Sequence, residues 1–597
     1  MRTLAAGFLF FVLFFVRPVF AQPPLEEQIS RVENFVFNGD FERAALLAER
    51  LYPQNKTNPR LYALLRSAYL GLKEYGKLEA LLAEQLTLAP KNKNLRLDQL
   101  ELFLRQGERA RAEEAARIYL EFAVKDTLSY ADAANRYLAA GYAEEAIKVY
   151  QTARKTLLKP ALFSSHLAET YRSLRRWREA LEEYLNWFSA EPANSSILPR
   201  LTSLLNDLPG DDPDIGPFLE RELAKKPSSL HFRLKGEWEL RKGDYDAALA
   251  AYEEADRRGS RDGVLLLELA RKTSAALPEK MPALAAAYEK NYPQSPNLPQ
   301  LHFLLARAQV NQGEFLAARA TYEKILQTTP LATDRTEAHF ELAGLMLDYL
   351  GRPDSVLVFI EKTGTLLPML LQPAAVLKAR ALAALDRFDQ ARQALSQIPG
   401  RSARWGEEMN FLLAEWELYF LNFEEAEKKY TALLEAFPRG ERANDALRRL
   451  ALLKNTGKSK ESPLSIFAVF LKDMAQFKEG EAAAKLTALE KTAPHLAAEA
   501  FYGWGFYLSS RKRLAEAESA FVKIKTAYAK TPQAPLALEK LGELAEAARR
   551  PEAAQTHYEA VLQEYPEAVN VETVRGKLRR LLERLPEKGP KGPETKS

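Results

Sequence analysis

At 597 residues the chain is too long for one hydrophobic core, so it must hold several domains or grow by repetition. It contains no cysteine, which excludes disulfides, thiolate metal sites, cysteine nucleophiles and a lipid-modified cysteine at a cleavage site. Its 84 Lys and Arg nearly balance 80 Asp and Glu, and no segment is strongly basic, so the charge footprint of a nucleic-acid binder is missing.

The first predicted element is an address. Arg2 supplies a positive charge, Leu4–Val16 is an unbroken apolar run, and Val19-Phe20-Ala21 offers small residues where a signal peptidase reads. This layout predicts a signal peptide over 1–21, cleaved between Ala21 and Gln22. The run is short of the ~20 apolar residues that cross a bilayer, and Arg17-Pro18 ends it. The expected location is therefore outside the cytoplasm, periplasmic in a bacterium, with extracellular or signal-anchored forms as the alternatives. No stable membrane span is expected after cleavage.

From about residue 25 onward the sequence repeats. A small or aliphatic anchor recurs at Ala44, Leu78, Ala112, Ala146, Ala180, Asp214, Ala248, Leu284, Ala318, Val356, Ala391, Ala426, Ala482, Ala517 and Ala554, and the first six steps are all 34 residues. Four residues after the anchor comes Tyr or Phe in nine units, among them Tyr184, Tyr252, Tyr430 and Tyr558; one helical turn puts both on the same face. Five before the anchor stands glycine in six units, the expected left-handed end of a first helix. Twelve before it lies a second small residue, as in Ala134, Ala168, Gly236, Ala306, Gly344, Ala379, Ala414, Gly505 and Gly542, where two helices can approach closely. A proline commonly follows the second helix.

The pattern weakens twice. Around Asp214 the anchor is lost and Pro209 and Pro213 intrude. Between Ala426 and Ala482 the step lengthens to 56, which predicts one extra helix over Ala443–Lys454 and a polar loop at 455–462. After the last unit, Val569–Leu585 reads as a helix that covers the end of the stack, and the Lys-, Pro- and Gly-rich 586–597 reads as a disordered tail.

Segments such as LAETYRSLRRWREALEEYLNWFSAEP and LKGEWELRKGDYDAALAAYEEA resemble the tetratricopeptide repeat, and the resemblance covers about residues 25–568. It implies an all-α, right-handed superhelical solenoid of about fifteen helix-turn-helix units with a C-terminal capping helix. The expected division is a 22–297 N-terminal array, a 298–440 central array, and a 441–585 C-terminal array with the extra helix and cap. AFPRGERANDALRRLALL also resembles the repeat proteins of bacterial outer-membrane assembly.

No phosphate-binding, dinucleotide, zincin or nucleophile-elbow motif occurs, and the six histidines are scattered, so no catalytic residue, cofactor or metal is expected. Asp207, Asp211, Asp212 and Asp214 read as an acidic turn, since their spacing is not that of a calcium loop. The function expected is therefore not enzymatic. The resemblance implies that first helices line a concave groove, with groove-facing residues three before, one after and five after the small residue of the first helix. Those are Arg233, Glu237 and Arg241; Phe303, Arg307 and Asn311; Phe411, Glu415 and Tyr419; Tyr502, Phe506 and Ser510. Asn135 matches one position of the carboxylate clamp of some family members, but Ala131 stands where lysine is needed, so that activity is not expected. Partners are expected to be other proteins, as an extended peptide or a folded domain, and not nucleic acid. Aromatic groove residues from Phe303 onward concentrate that expectation between about Gln300 and Tyr507. The alternatives are a scaffold of a polysaccharide-export or secretion assembly and the helical part of a cell-wall enzyme.

Overall fold

Fourteen of the fifteen anchors are at most 1 % exposed, and this burial is what pairs the helices. The computed structural model describes residues 24–122, 126–210, 212–259, 261–362, 368–397 and 403–584. Among them are thirty-two α-helices and no strand, arranged as tetratricopeptide-type antiparallel pairs. The leader at 1–21 and the tail at 586–597 lie outside the described residues. No described helix is long and apolar enough to cross a membrane.

Many pairs close by setting a ring against a small residue. A Cβ added to Gly236 would lie 2.5 Å from the Tyr252 ring, and one added to Gly505 would lie 2.7 Å from that of Phe521. The ring hydroxyl then reaches back to the first helix. Tyr184 donates to Glu169 at 2.7 Å, Tyr252 to Glu237 at 2.5 Å, and Tyr430 to Glu415. The same acids pair with cations one unit further on, namely Arg200, Lys272 and Arg449. A single carboxylate thus ties a unit to itself and to the next.

The turn between the two helices is left-handed. All six glycines five before an anchor have φ between 59° and 84°. Seven other units place Lys73, Arg175, Asp386, Leu421, Phe477, Lys512 or Arg549 there, with φ between 56° and 62°. A side chain in this region costs ~1–2 kcal/mol relative to a right-handed residue.

The chain divides into two compact units, Met1–Lys225 and Lys226–Ser597. The breaks expected at 297/298 and 440/441 fall inside the second. The first unit ends at the weakened repeat: Asp214 is exposed and precedes the helix Ile215–Lys225 instead of anchoring it, because prolines 209 and 213 fill the turn. Asp207 there accepts from Arg172 at 2.8 Å through Nε. Asp211 lies outside the described residues.

In the second unit the extra helix runs Ala443–Asn455, one residue longer than expected, so the polar loop begins at Thr456. The covering helix is Val571–Arg584, starting two residues later than expected, with Val569 exposed. This unit also folds back on itself, so that two rows of inter-helix turns, most of them left-handed, meet. Arg549 pairs with Glu279 at 3.2 Å. Lys512 lies against Gly313, and Phe477 against Gly351. Gln476 donates to Asp386 at 2.9 Å, and Lys472 pairs with the same carboxylate at 2.9 Å. Along this seam the two rows run antiparallel. Asp386, Phe477, Lys512 and Arg549 are all non-glycine left-handed residues, and their side chains supply the contacts that offset the backbone cost.

Candidate partner-binding cavity

The seam walls a cavity of ≈ 700 Å³ in the second unit. Its walls come from the first helices Ala332–Asp348, Leu371–Ala384, Ala403–Tyr419, Pro463–Ala475, Pro494–Ser510 and Gln533–Ala547, and from the extra helix Ala443–Asn455. A smaller cavity of ≈ 520 Å³ shares Asp348, Tyr349 and Arg380 with it and reaches back to Arg307 and Asn311.

Six cations line the larger cavity: Arg380, Arg442, Arg448, Arg449, Arg511 and Lys540. Four carboxylates face them: Asp348, Glu415, Asp445 and Glu499. Two of those four are withdrawn, with the side chains of Glu415 and Glu499 only 7 % and 4 % exposed. Arg449 links both, through Nε to Glu415 at 2.9 Å and Nη1 to Glu499 at 3.2 Å. Burial opposes its charge, but the two carboxylates outweigh burial and raise its pKa above the usual guanidinium value. Glu415 also accepts from Tyr430, and Glu499 from Gln533 at 2.8 Å. Burial and the neighbouring Glu415 carboxylate hold the Tyr419 and Tyr430 hydroxyls well above the ordinary tyrosine pKa, so both remain neutral donors.

The guanidinium planes lie on rings. Arg442 sits over Phe411 at 5.1 Å, Arg448 over Tyr502 at 5.2 Å and Arg449 over Phe467 at 5.3 Å. Arg511 is held between Tyr507 at 4.4 Å and Phe477 at 4.9 Å, and its Nη1 donates to the Tyr349 carbonyl at 3.1 Å. Such stacking fixes long side chains that would otherwise lose rotamer freedom on binding. Burial pushes the Tyr502 and Tyr507 hydroxyls up to about 12.

The structure brings together some of the groove residues read from the sequence and separates others. Phe411, Glu415, Tyr419, Tyr502 and Phe506 line the larger cavity, and Arg307 and Asn311 the smaller. Phe303 lines neither cavity; it is 7 % exposed with its ring 6.2 Å from that of Tyr322, much as Phe411 lies 6.0 Å from Tyr430. Arg233 is bound to Glu268 at 2.6 Å, and Glu237 to Tyr252 and Lys272, so these two knit adjacent units together. Arg241 is exposed and lines neither cavity.

Among the residues the sequence reading missed, Arg380 follows Ala379 by one and Tyr349 follows Gly344 by five, so the same spacing rule reaches both. Arg448 and Arg449 lie on the extra helix, which has no anchor to count from. Phe477 and Arg511 reach the cavity only because the chain folds back.

No family model and no curated protein matches the chain. Among solved structures, it is similar to a complex of Naa15 and Naa10 bound to HypK-THB, at 14 % identity over 93 % of this chain and 86 % of that one, with a TM-score of 0.32. It is also similar to a tetratricopeptide repeat protein from Parabacteroides merdae ATCC 43184, at 16 % identity over 40 % of this chain and 95 % of that one, TM-score 0.24. A third is the APC/C hetero-tetramer Cut9–Hcn1, at 12 % identity over 94 % and 96 %, TM-score 0.21. The fold described above rests on the helix pairs of this chain itself.

Proposed function

We propose that the chain is an exported, non-enzymatic scaffold or adaptor of the cell envelope that holds another protein, as an extended peptide or an inserted segment of a folded domain. The observation that carries this reading is the ≈ 700 Å³ cavity, walled by first helices and lined by rings and fixed arginines. Aromatic and arginine side chains around a concave surface suit protein recognition. The most withdrawn acids of the cavity, Glu415 and Glu499, are bound to Arg449, which suits recognition better than proton transfer. Export is supported by the charged and apolar pattern of residues 1–21.

The test is site-specific photocrosslinking in cells. A crosslinking side chain at Phe506, 57 % exposed inside the cavity, is compared with one at Leu316, 71 % exposed on a second helix. A discrete protein adduct from position 506 and none from 316 is the expected result. Adducts of equal yield from both positions overturn the reading. Fractionation with N-terminal sequencing tests export, and material that still begins at Met1 in the cytoplasm overturns that part.

A further inference from the structure

We infer that the cavity selects an extended peptide whose side chains alternate carboxylates with apolar groups, and that it reads those side-chain carboxylates with arginines held on rings. This rests on the peptide-binding reading above and adds the chemistry of the ligand.

The first ground is charge. With Glu415 and Glu499 buried behind Arg449, the carboxylates that remain open are Asp348 and Asp445, each clipped to an arginine, at 2.5 Å to Arg380 and 2.6 Å to Arg448. Arg442 is likewise held by Glu408 at 2.6 Å and Lys540 by Glu543 at 2.7 Å, while the side chains of Arg380, Arg442 and Arg448 stay 40 %, 39 % and 30 % exposed. Among the described residues no carboxylate pairs with Arg511. The lining itself thus carries six cations against four carboxylates, two of them buried, and an incoming carboxylate meets donors whose orientation is already fixed.

The second ground is what the rings leave free. Tyr507 has Arg511 near it at 4.4 Å and Trp504 stacked at 5.6 Å. Tyr502 has Arg448 at 5.2 Å and Phe521 at 5.9 Å. Phe411 has Arg442 at 5.1 Å and Tyr430 at 6.0 Å. A sugar recognised by stacking needs an open ring face, and these rings are already engaged. What they carry instead are guanidiniums: Arg442 shows the planar, two-pronged match to a carboxylate on Glu408, at 2.6 and 3.1 Å, and Arg511 is the one without a carboxylate among the described residues. Phe506 is the exception: it is 57 % exposed and has no ring or cation contact among the described residues. It offers an anchor for an apolar side chain next to the acidic one, a combination found in a peptide and not in an acidic polysaccharide.

The experiment measures fluorescence anisotropy of labelled peptides with the purified full chain. One peptide alternates Glu with Leu; two controls carry Gln or Lys in place of Glu. All have blocked termini, so the only carboxylates are on side chains. The Glu peptide is expected to bind about tenfold or more tighter than the Gln peptide, to weaken as salt rises, and to exclude the Lys peptide. The double variant Arg380→Gln, Lys540→Gln removes two partly exposed cations that are not in the buried Arg449 network. It is expected to lose about tenfold on the Glu peptide and nothing on the Gln peptide, with an unchanged circular dichroism spectrum. Phe506→Ala is expected to weaken both. Equal binding of Glu and Gln peptides, both weakened by Phe506→Ala, overturns the carboxylate selectivity and leaves peptide binding standing. If no peptide binds and Phe506→Ala changes nothing, peptide binding falls with it. Tighter binding of an oligoglucuronate that displaces the Glu peptide overturns the peptide class.

Discussion

Arg511 donates from Nη1 to the carbonyl of Tyr349, 162 residues earlier, at 3.1 Å. With its guanidinium between Phe477 and Tyr507, it is both part of the cavity wall and a fastening of the seam. Tyr349 itself ends a first helix and stacks on Phe315 at 4.6 Å. The bond thus joins the end of one first helix to the end of another in the opposite row.

Arg511→Ala removes the hydrogen bond and both ring contacts and is expected to cost ~2 kcal/mol. Hydrogen exchange should rise at the amides of residues 350 and 352, which close the turn after Tyr349. Arg511→Lys keeps the charge but not the planar stack, and should give a partial effect. Unchanged exchange at those amides would show that the seam does not depend on this residue.

The left-handed turns separate backbone strain from useful contact. Lys73, φ 59°, is exposed and has no side-chain contact described, so Lys73→Gly should stabilise the first unit by up to ~1 kcal/mol. Phe477, φ 61°, touches Gly351 and Arg511, so Phe477→Gly should destabilise the second unit despite the same relief of strain. Urea unfolding of each variant gives the sign, and equal signs would refute the role given to the seam side chains.

Arg449→Met leaves Glu415 and Glu499 buried without their shared cation. The expected loss is ~3–5 kcal/mol, since one partner of a buried network has been removed. Replacing all three with apolar residues should recover much of it. A cost below ~1 kcal/mol for the single variant would place both acids in contact with water.

The second unit should weaken in mild acid through His302. This histidine is 2 % exposed, and burial lowers its pKa below the ordinary 6.5 even though Nε2 is 2.8 Å from Glu289. The folded state therefore resists a proton that the unfolded state takes up. Stability is full above pH 6.5 and falls as the pH drops from there toward the lower folded value. His302→Gln should flatten the decline measured by urea unfolding between about pH 7 and 5. An identical slope would assign the acid sensitivity to other groups of this unit, such as His339 or His557, whose pKa values burial also lowers.

The repeat was legible because its causes are local. A buried anchor, a ring four residues later and a left-handed turn five before all lie within two turns of helix, so spacing alone locates them. Ala180, Tyr184 and Arg175 show the three together, each where the period puts it. The face of the first helix that lines the cavity was legible for the same reason, as Tyr419, Tyr502 and Phe506 show. Phe303, at the same register as Phe411 and Tyr502, lies against its second-helix ring as they do but lines neither cavity, because the fold-back that closes the cavity lies further along the chain.

The sequence by itself determined the helix pairs, their period, the interruption near Asp214 and the extra helix after Phe437, since each follows from side-chain volume and backbone preference over a few turns. Only the tertiary structure decided that Glu279, Gly313, Gly351 and Asp386 would meet Arg549, Lys512, Phe477 and Gln476, and so where the cavity lies. Small rotations between successive units accumulate along a repeat array. Whether two distant turns meet depends on that sum, which no single unit encodes, and so the cation-rich wall appears only when the rows close.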